Sequence, residues 1–310
     1  MNYRSILIAL TQTMGLYLAG FLIPVLGQVV ALFTPVPVAT AYVRYGRREG
    51  VSALLASCAV IAVLAGWQLG AVLFFSFGLM ALGLAEAMKR GLKAEYVALA
   101  GGMLPVLAAV LAVSYYFTHI GKNPVVVIEN YLAKSMAESA RLYTSIGLRE
   151  MATMINSISP SFIHYLARLV PGIVVTTSVM QAACCFGVVR FLLLRKKEAG
   201  ISLSYPSLAE WHSPDSWVWG LIACLTLLAI PQETLRLTGL NLAILCIAVY
   251  TTQGVAVVEH YFRKAKIHFA VRSILHTMIL ILPSVAFVIA LGIVDVWADF
   301  RKLRGPVQQT

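Results

Sequence analysis

The chain has 310 residues, 60% of them hydrophobic and only 12% charged, with a mean hydropathy of +0.83. A water-soluble domain carries about 25% charged residues, so this composition excludes one and indicates a polytopic α-helical membrane protein; the helical patterning also argues against a β-barrel, whose strands alternate. A net charge of +11 would suggest nucleic acid in a soluble protein, but cations flanking apolar runs are membrane-topology signals, and no nucleic-acid partner is expected.

Arg4 precedes an apolar run resembling a signal anchor, which continues far beyond a cleavable segment and lacks a convincing A-x-A site. No charge occurs between Arg4 and Arg44. A spanning helix needs about 20 residues, so this stretch divides into a first pass near 6–22 and a second near 27–45. Pro24, Pro35 and Pro37 fall here, and Thr34-Pro35-Val36-Pro37 should interrupt the second pass. Interrupted backbone at membrane depth is tolerated only against protein or water, so the interruption should face the interior.

Arg44, Arg47, Arg48 and Glu49 form the first charged loop. The run 51–85 is again uncharged and divides at Gly66-Trp67-Gln68 into passes three and four; Lys89, Arg90 and Lys93 follow, then pass five at about 96–118. Segment 120–160 is the one long polar stretch between membrane runs. Ile128, Leu132, Met136, Tyr143 and Ile146 share a helical face opposite Lys134, Glu138 and Arg141, which predicts an amphipathic helix.

Pass six is about 169–189, ending at Arg190, Arg195, Lys196 and Lys197. The loop carrying Tyr205, Pro206, Trp211, Pro214 and Trp217 should hug the bilayer interface, which Trp and Tyr prefer. A short pass seven covers 216–232. Pass eight, 236–263, is uncharged from Leu237 to Val258 yet carries Asn241, Thr251, Thr252 and Gln253. Asn241, Ala248, Thr252 and Glu259 form a polar stripe about 27 Å long, so this helix should be interior. Arg263, Lys264, Lys266 and Arg272 precede pass nine, 273–294, and the tail holds Asp295, Asp299, Arg301, Lys302 and Arg304.

The positive-inside rule places the clusters at 44–48, 89–93, 190–197 and 263–272 in the cytoplasm, with the N-terminus inside and 120–160 outside the cytoplasmic membrane. Nine passes leave Arg301, Lys302 and Arg304 outside, against the rule, unless pass nine is re-entrant. An eight-pass version fits Arg4 worse.

No P-loop, GxGxxG, HExxH or GxSxG motif is present, so no enzyme activity, cofactor or metal is expected. The five cysteines, Cys58, Cys184, Cys185, Cys224 and Cys246, lie in apolar runs without metal or redox spacing. Three features could carry function. Asn241, Thr252 and Gln253 could line a ligand or ion path, or act as interhelical hydrogen-bond glue. Trp67, Gln68, Tyr115, Tyr116, His119, His164 and Arg168 gather at the predicted outer mouth; they could hold a planar or anionic ligand, or form an interfacial aromatic belt. Small-residue spacing occurs at Gly15/Ala19, Gly46/Gly50 and Gly66/Gly70. The first permits close helix contact within the bundle or with another subunit, and the other two sit at turns.

Several of these stretches resemble the YybS-like bacterial membrane proteins. Thr34-Pro35-Val36-Pro37 with Tyr45-Gly46-Arg47 looks like that family's Pro-x-Pro and Arg/Tyr-Gly segment. Trp211 and Pro214 resemble its polar loop, Asn241, Tyr250 and Gln253-Gly254 its Asn…Tyr-x-x-Gln-Gly helix, and Gly292, Asp295, Phe300 and Arg301 its closing motif. The first six passes also resemble the substrate-binding S component of energy-coupling-factor transporters. That resemblance implies a six-helix membrane core over 1–197, with 120–160 covering the substrate and a helix-one face at Gly15/Ala19 docking a coupling subunit. Gly15-x-x-x-Ala19 matches the usual Ala pair only in part, and the three C-terminal passes of 198–310 have no counterpart. The expected function is a small-molecule-binding or transport component; the alternative is a scaffold subunit contacting partners through 198–217. A lipid-active enzyme would need a convergent acid/base pair, approached only by His164/Arg168 and Glu259/His260.

Overall fold

A computed structural model describes residues 3–23, 26–121, 123–158, 160–195, 205, 207–281 and 284–303. The expected Pro24, Lys196, Lys197, Pro206 and Arg304 lie outside the described residues. The described residues form an all-α polytopic bundle in which seven helical segments are long and apolar enough to cross a bilayer. The chain divides into two compact units: Met1–Val170 with Thr177–Leu203, and Pro171–Thr176 with Ser204–Thr310.

Unit 1 contains five of the seven long spans and all of a sixth, Pro160–Arg195, except Pro171–Thr176. α1 (Tyr3–Leu22) turns into α2 (Leu26–Ala31), which continues after a short break as α3 (Pro35–Tyr45), the two making one span over Leu26–Tyr45. The break falls where the prolines predict it. Pro35 and Pro37 take the first turn of α3, where a missing N–H is harmless. Thr34, Pro35, Val36 and Pro37 are all buried, as a backbone interruption in lipid requires. The Leu32 carbonyl, left without a helical partner at the break, accepts from Gln181 Nε2 at 2.9 Å and Cys185 Sγ at 3.3 Å. α3 packs on α1 and on the helices Arg47–Ala65 and Leu79–Lys89, so it joins three of the unit's spans.

α4 (Arg47–Ala65) and the next span meet at Gly66, whose φ of 99° favours glycine. That span is α5 (Trp67–Val72), a π-helical stretch at Leu73–Gly78, and α6 (Leu79–Lys89). Gly50 and Gly70 do more than relax turns. A Cβ at Gly50 would meet Tyr42, and one at Gly70 would meet Ala62 and the Cys58 carbonyl. α7 (Ala94–Ile120) lies against α6 through Gly83 and Gly101, and Gly102 abuts Val179 of α10 (Pro160–Arg195).

Between α7 and α10, segment 120–160 forms two helices, α8 (Pro124–Ser145) and α9 (Arg149–Asn156), which pack on each other across a turn at Gly147. On α8 the predicted apolar residues Ile128, Leu132, Met136 and Tyr143 are half-buried, whereas Lys134, Glu138 and Arg141 are exposed; Ile146, expected on the same face, lies just past the helix end and is exposed.

Unit 2 is built on α12 (Glu233–Lys264), the predicted interior helix. α11 (Trp217–Ala229) runs back along it, with Gly239 against Leu227 and the Cys224 carbonyl. The run 273–294, expected as a ninth pass either full or re-entrant, is two short helices, α13 (Phe269–Ile281) and α14 (Val285–Ala298). Pro283 lies between them in the sequence and cannot continue a helix hydrogen-bond ladder. Near its start, α13 is tied to α12 by Arg272 and His276 at Glu259. Beyond α14, the Phe300 carbonyl accepts from Tyr261 Oη at 3.2 Å. Both ends of the α13–α14 hairpin therefore lie at the Lys264 end of α12. Arg301 and Lys302 fall at the same end as Arg263 and Lys264, which removes the charge conflict that a ninth full crossing creates.

Candidate functional site

The polar residues predicted on α12 are tied into the protein. Asn241 Oδ1 accepts from the Gly172 N–H at 2.6 Å, and its amide donates to the Leu237 carbonyl at 2.9 Å. Gly172 follows Pro171 inside α10, so Asn241 meets a backbone donor where a proline disturbs the helix. Thr252 donates to its own helix at the Ala248 carbonyl.

Gln253 is fully buried and belongs to a larger network. Its Oε1 accepts from the Ser213 N–H at 2.9 Å, and its Nε2 donates to Asp295 Oδ2 at 2.7 Å. The same Asp295 oxygen is 2.8 Å from Arg301 Nη2, and both side chains of this ion pair are 0% exposed. Arg301 Nη1 donates to the carbonyls of Ala209 and Trp211, at 3.0 and 2.8 Å. Asp295 Oδ1 accepts from the Phe300 N–H at 3.1 Å. Trp211, Gln253, Asp295, Phe300 and Arg301, quoted above from three separate stretches, thus meet in one place. Beside them a Cβ at Gly254 would strike the Val288 carbonyl oxygen, and one at Gly292 the Tyr250 carbonyl oxygen. Arg301 Nε, Ser213 Oγ and the nearby Tyr250 hydroxyl are buried without a hydrogen-bond partner, but Gln253, the Asp295 carboxylate and both terminal nitrogens of Arg301 are engaged, so the network reads as a clasp holding the chain around 209–213 and α14 onto α12.

Of the residues predicted at the outer mouth, two pair with each other and a third pairs with a residue outside the group. Tyr115 and His119 stack on their own helix at 4.1 Å. His164 Nδ1 faces the Glu129 carboxylate, linking α10 to α8. Among the described residues, Tyr115 and His119 share no hydrogen bond, ion pair or ring contact with His164. Tyr116 is partly exposed, Trp67 is largely exposed, and Arg168 is half-buried on α10.

Neither of the two best-formed cavities is lined by the eight predicted site residues. The larger, about 660 Å³, lies between α1, α3 and α10 in unit 1. Its walls are mostly apolar, including Leu16, Phe33, Val36 and Leu192, with Ser5, Gln12, Thr40 and Arg44 as polar groups. Thr40 Oγ1 is buried without a hydrogen-bond partner. Gly15 opens onto the same space, and a Cβ there would meet nothing within 4 Å. Ligand pockets span about 300–1,000 Å³ and combine apolar walls with a few placed polar groups; this cavity fits that description. Sequence reading missed it for a physical reason. Arg44 is the first charge after a long neutral run and reads as a topology signal, and Thr40 is one hydroxyl in an apolar helix.

A bundle of long apolar helices, many of whose large hydrophobic side chains are exposed, around buried polar ties, defines a multi-pass helical membrane protein. The chain belongs to the family described as "Predicted membrane protein (DUF2232)", which matches residues 12–296. No curated protein and no solved structure matches it.

Proposed function

We propose that this membrane protein is a small-molecule-binding or transport component, and that the cavity between α1, α3 and α10 holds an anionic amphiphile. The observation that carries the reading is the pairing of about 660 Å³ of mostly apolar space with Arg44 and the unpartnered Thr40 hydroxyl. An apolar body would lie along Leu16, Val36 and Leu192, and an anionic group at Arg44 would gain charge-assisted hydrogen bonds. The broken second span supports the reading, because it is α3, with its break fixed by Gln181, that supplies one wall. The resemblances to YybS-like proteins and to S components fit a ligand held in this unit, although Gly15, expected on a coupling face, here borders the cavity itself. The cavity stands at the Arg44 end of that unit, however, and α8–α9 at the other. Entry is therefore from the basic, cytoplasmic end or from the bilayer, rather than under the 120–160 segment.

The test is a thermal-stability screen of the purified full chain against medium-chain carboxylates, aryl carboxylates and their neutral amides. Anionic members should raise the unfolding temperature of the wild type and not of Arg44→Ala. No response to any acid, or equal response to acids and amides, would overturn the proposal.

A further inference from the structure

We infer that the second cavity of unit 1 is a binding site for an anionic phospholipid, distinct from the α1–α3–α10 cavity and independent of the function proposed for it. This cavity has a volume of about 440 Å³ and lies between α3, α4, α6 and α7. Its inner wall is apolar, formed by Val51, Leu82, Ala100, Met103 and Leu104. Its mouth is charged, formed by Tyr42, Arg47, Glu86 and Arg90.

The charges at the mouth are unbalanced. Both oxygens of Glu86 are engaged: one accepts from the Tyr42 hydroxyl, the other is 2.9 Å from Nε and from Nη2 of Arg90. Arg90 has further guanidinium N–H donors beyond those two. Arg47 makes no hydrogen bond or ion pair among the described residues. Lys89, 5.6 Å from the centre of the Tyr42 ring, adds a third cation. The mouth thus keeps a positive excess that matches a phosphodiester, and arginine favours phosphate because its planar fork can donate two bonds at once.

The walls point to a lipid as the source of that phosphate. Leu104 lines the cavity and is itself 39% exposed, as is Leu92 at its edge. In a multi-pass protein such surface faces hydrocarbon, so the trough is continuous with the bilayer. Basic pockets between membrane helices on the cytoplasmic side are suited to anionic lipid headgroups. The headgroup would sit at Arg47 and Arg90, with one acyl chain entering between Val51 and Leu104.

Native mass spectrometry of the full chain in detergent tests this with phosphatidylglycerol and phosphatidylcholine of identical acyl chains. Wild type should retain phosphatidylglycerol preferentially. The double variant Arg47→Ala, Arg90→Ala should hold it about tenfold or more weakly, with phosphatidylcholine unaffected. Glu86→Gln should strengthen retention, because the carboxylate that competes for Arg90 is gone; a purely structural role for Glu86 predicts no gain. If the double variant fails to fold, Val51→Trp, which fills the trough and keeps both arginines, should expel the lipid instead. Equal retention of both lipids, or retention indifferent to all these changes, would overturn the inference. So would displacement of the lipid by millimolar inorganic phosphate, which would mark a soluble-anion site.

Discussion

Asp295 and Arg301 show how a single buried pair can organise a unit. Neither side chain has any exposed surface, and between them they bind one side chain and three backbone groups: Gln253 and the Phe300 N–H at Asp295, and the Ala209 and Trp211 carbonyls at Arg301. Removing one member leaves the other charged and uncompensated away from water. Asp295→Ala and Arg301→Ala should each destabilise by about 3–5 kcal/mol. The double variant should lose clearly less than the sum, because no lone charge remains. Denaturant unfolding of the four proteins in one detergent measures the coupling, and strict additivity would show that the pair does not act as a unit. Glu259 anchors a second cluster on the same helix: only 7% exposed, it meets Arg263 at 2.7 Å, Arg272 at 3.2 Å and His276 at 3.8 Å. Asn241 is more modest, a tie of a kind worth about 0.6 kcal/mol on average in membrane bundles.

The elements divide into those that periodicity and prolines reveal and those that depend on distant neighbours. The interruption of the second span was legible because Pro35 and Pro37 cannot donate, and its burial followed from the absence of water in lipid. The amphipathic face of α8 was equally legible from Ile128, Leu132 and Met136. The split of the last apolar run into α13 and α14 was not resolved, although Pro283 and the conflict at Arg301 both pointed to it. What local pattern does not encode is the return of α14 along α12, which the missing side chains of Gly254 and Gly292 permit. The π-helical turn at Leu73–Gly78 left no trace in local sequence either. Close crossing of α12 and α14 depends on two glycines whose missing side chains admit carbonyl oxygens of the facing helix. Gly292→Ala should therefore push α14 off α12 and destabilise by about 1–3 kcal/mol, despite the better helix propensity of alanine. A Gly292→Ala protein as stable as wild type would mean that the two helices do not approach this closely.

For the whole molecule, composition alone settled the membrane class, since 12% charged residues cannot clothe a soluble surface. The family match and the seven long apolar spans agree with it. The candidate site was far less legible. The predicted ligand residues were chosen as polar groups in apolar runs, and in the structure Asn241 and Gln253 are occupied by backbone and side-chain partners. The cavity instead combines residues remote in sequence: Ser5 and Gln12 on α1, Thr40 and Arg44 on α3, and Leu192 on α10. No local motif reports a space between three helices.

Gly15 gives the most direct test that this space is a ligand site, because its Cβ position faces open room. Gly15→Leu should fill the cavity without disturbing packing and should leave the unliganded protein at least as stable as wild type. With an acid from the screen at 100 times its Kd, the wild type should gain about 2.7 kcal/mol, while Gly15→Leu gains almost nothing. An undiminished gain in the Gly15→Leu protein would contradict the account.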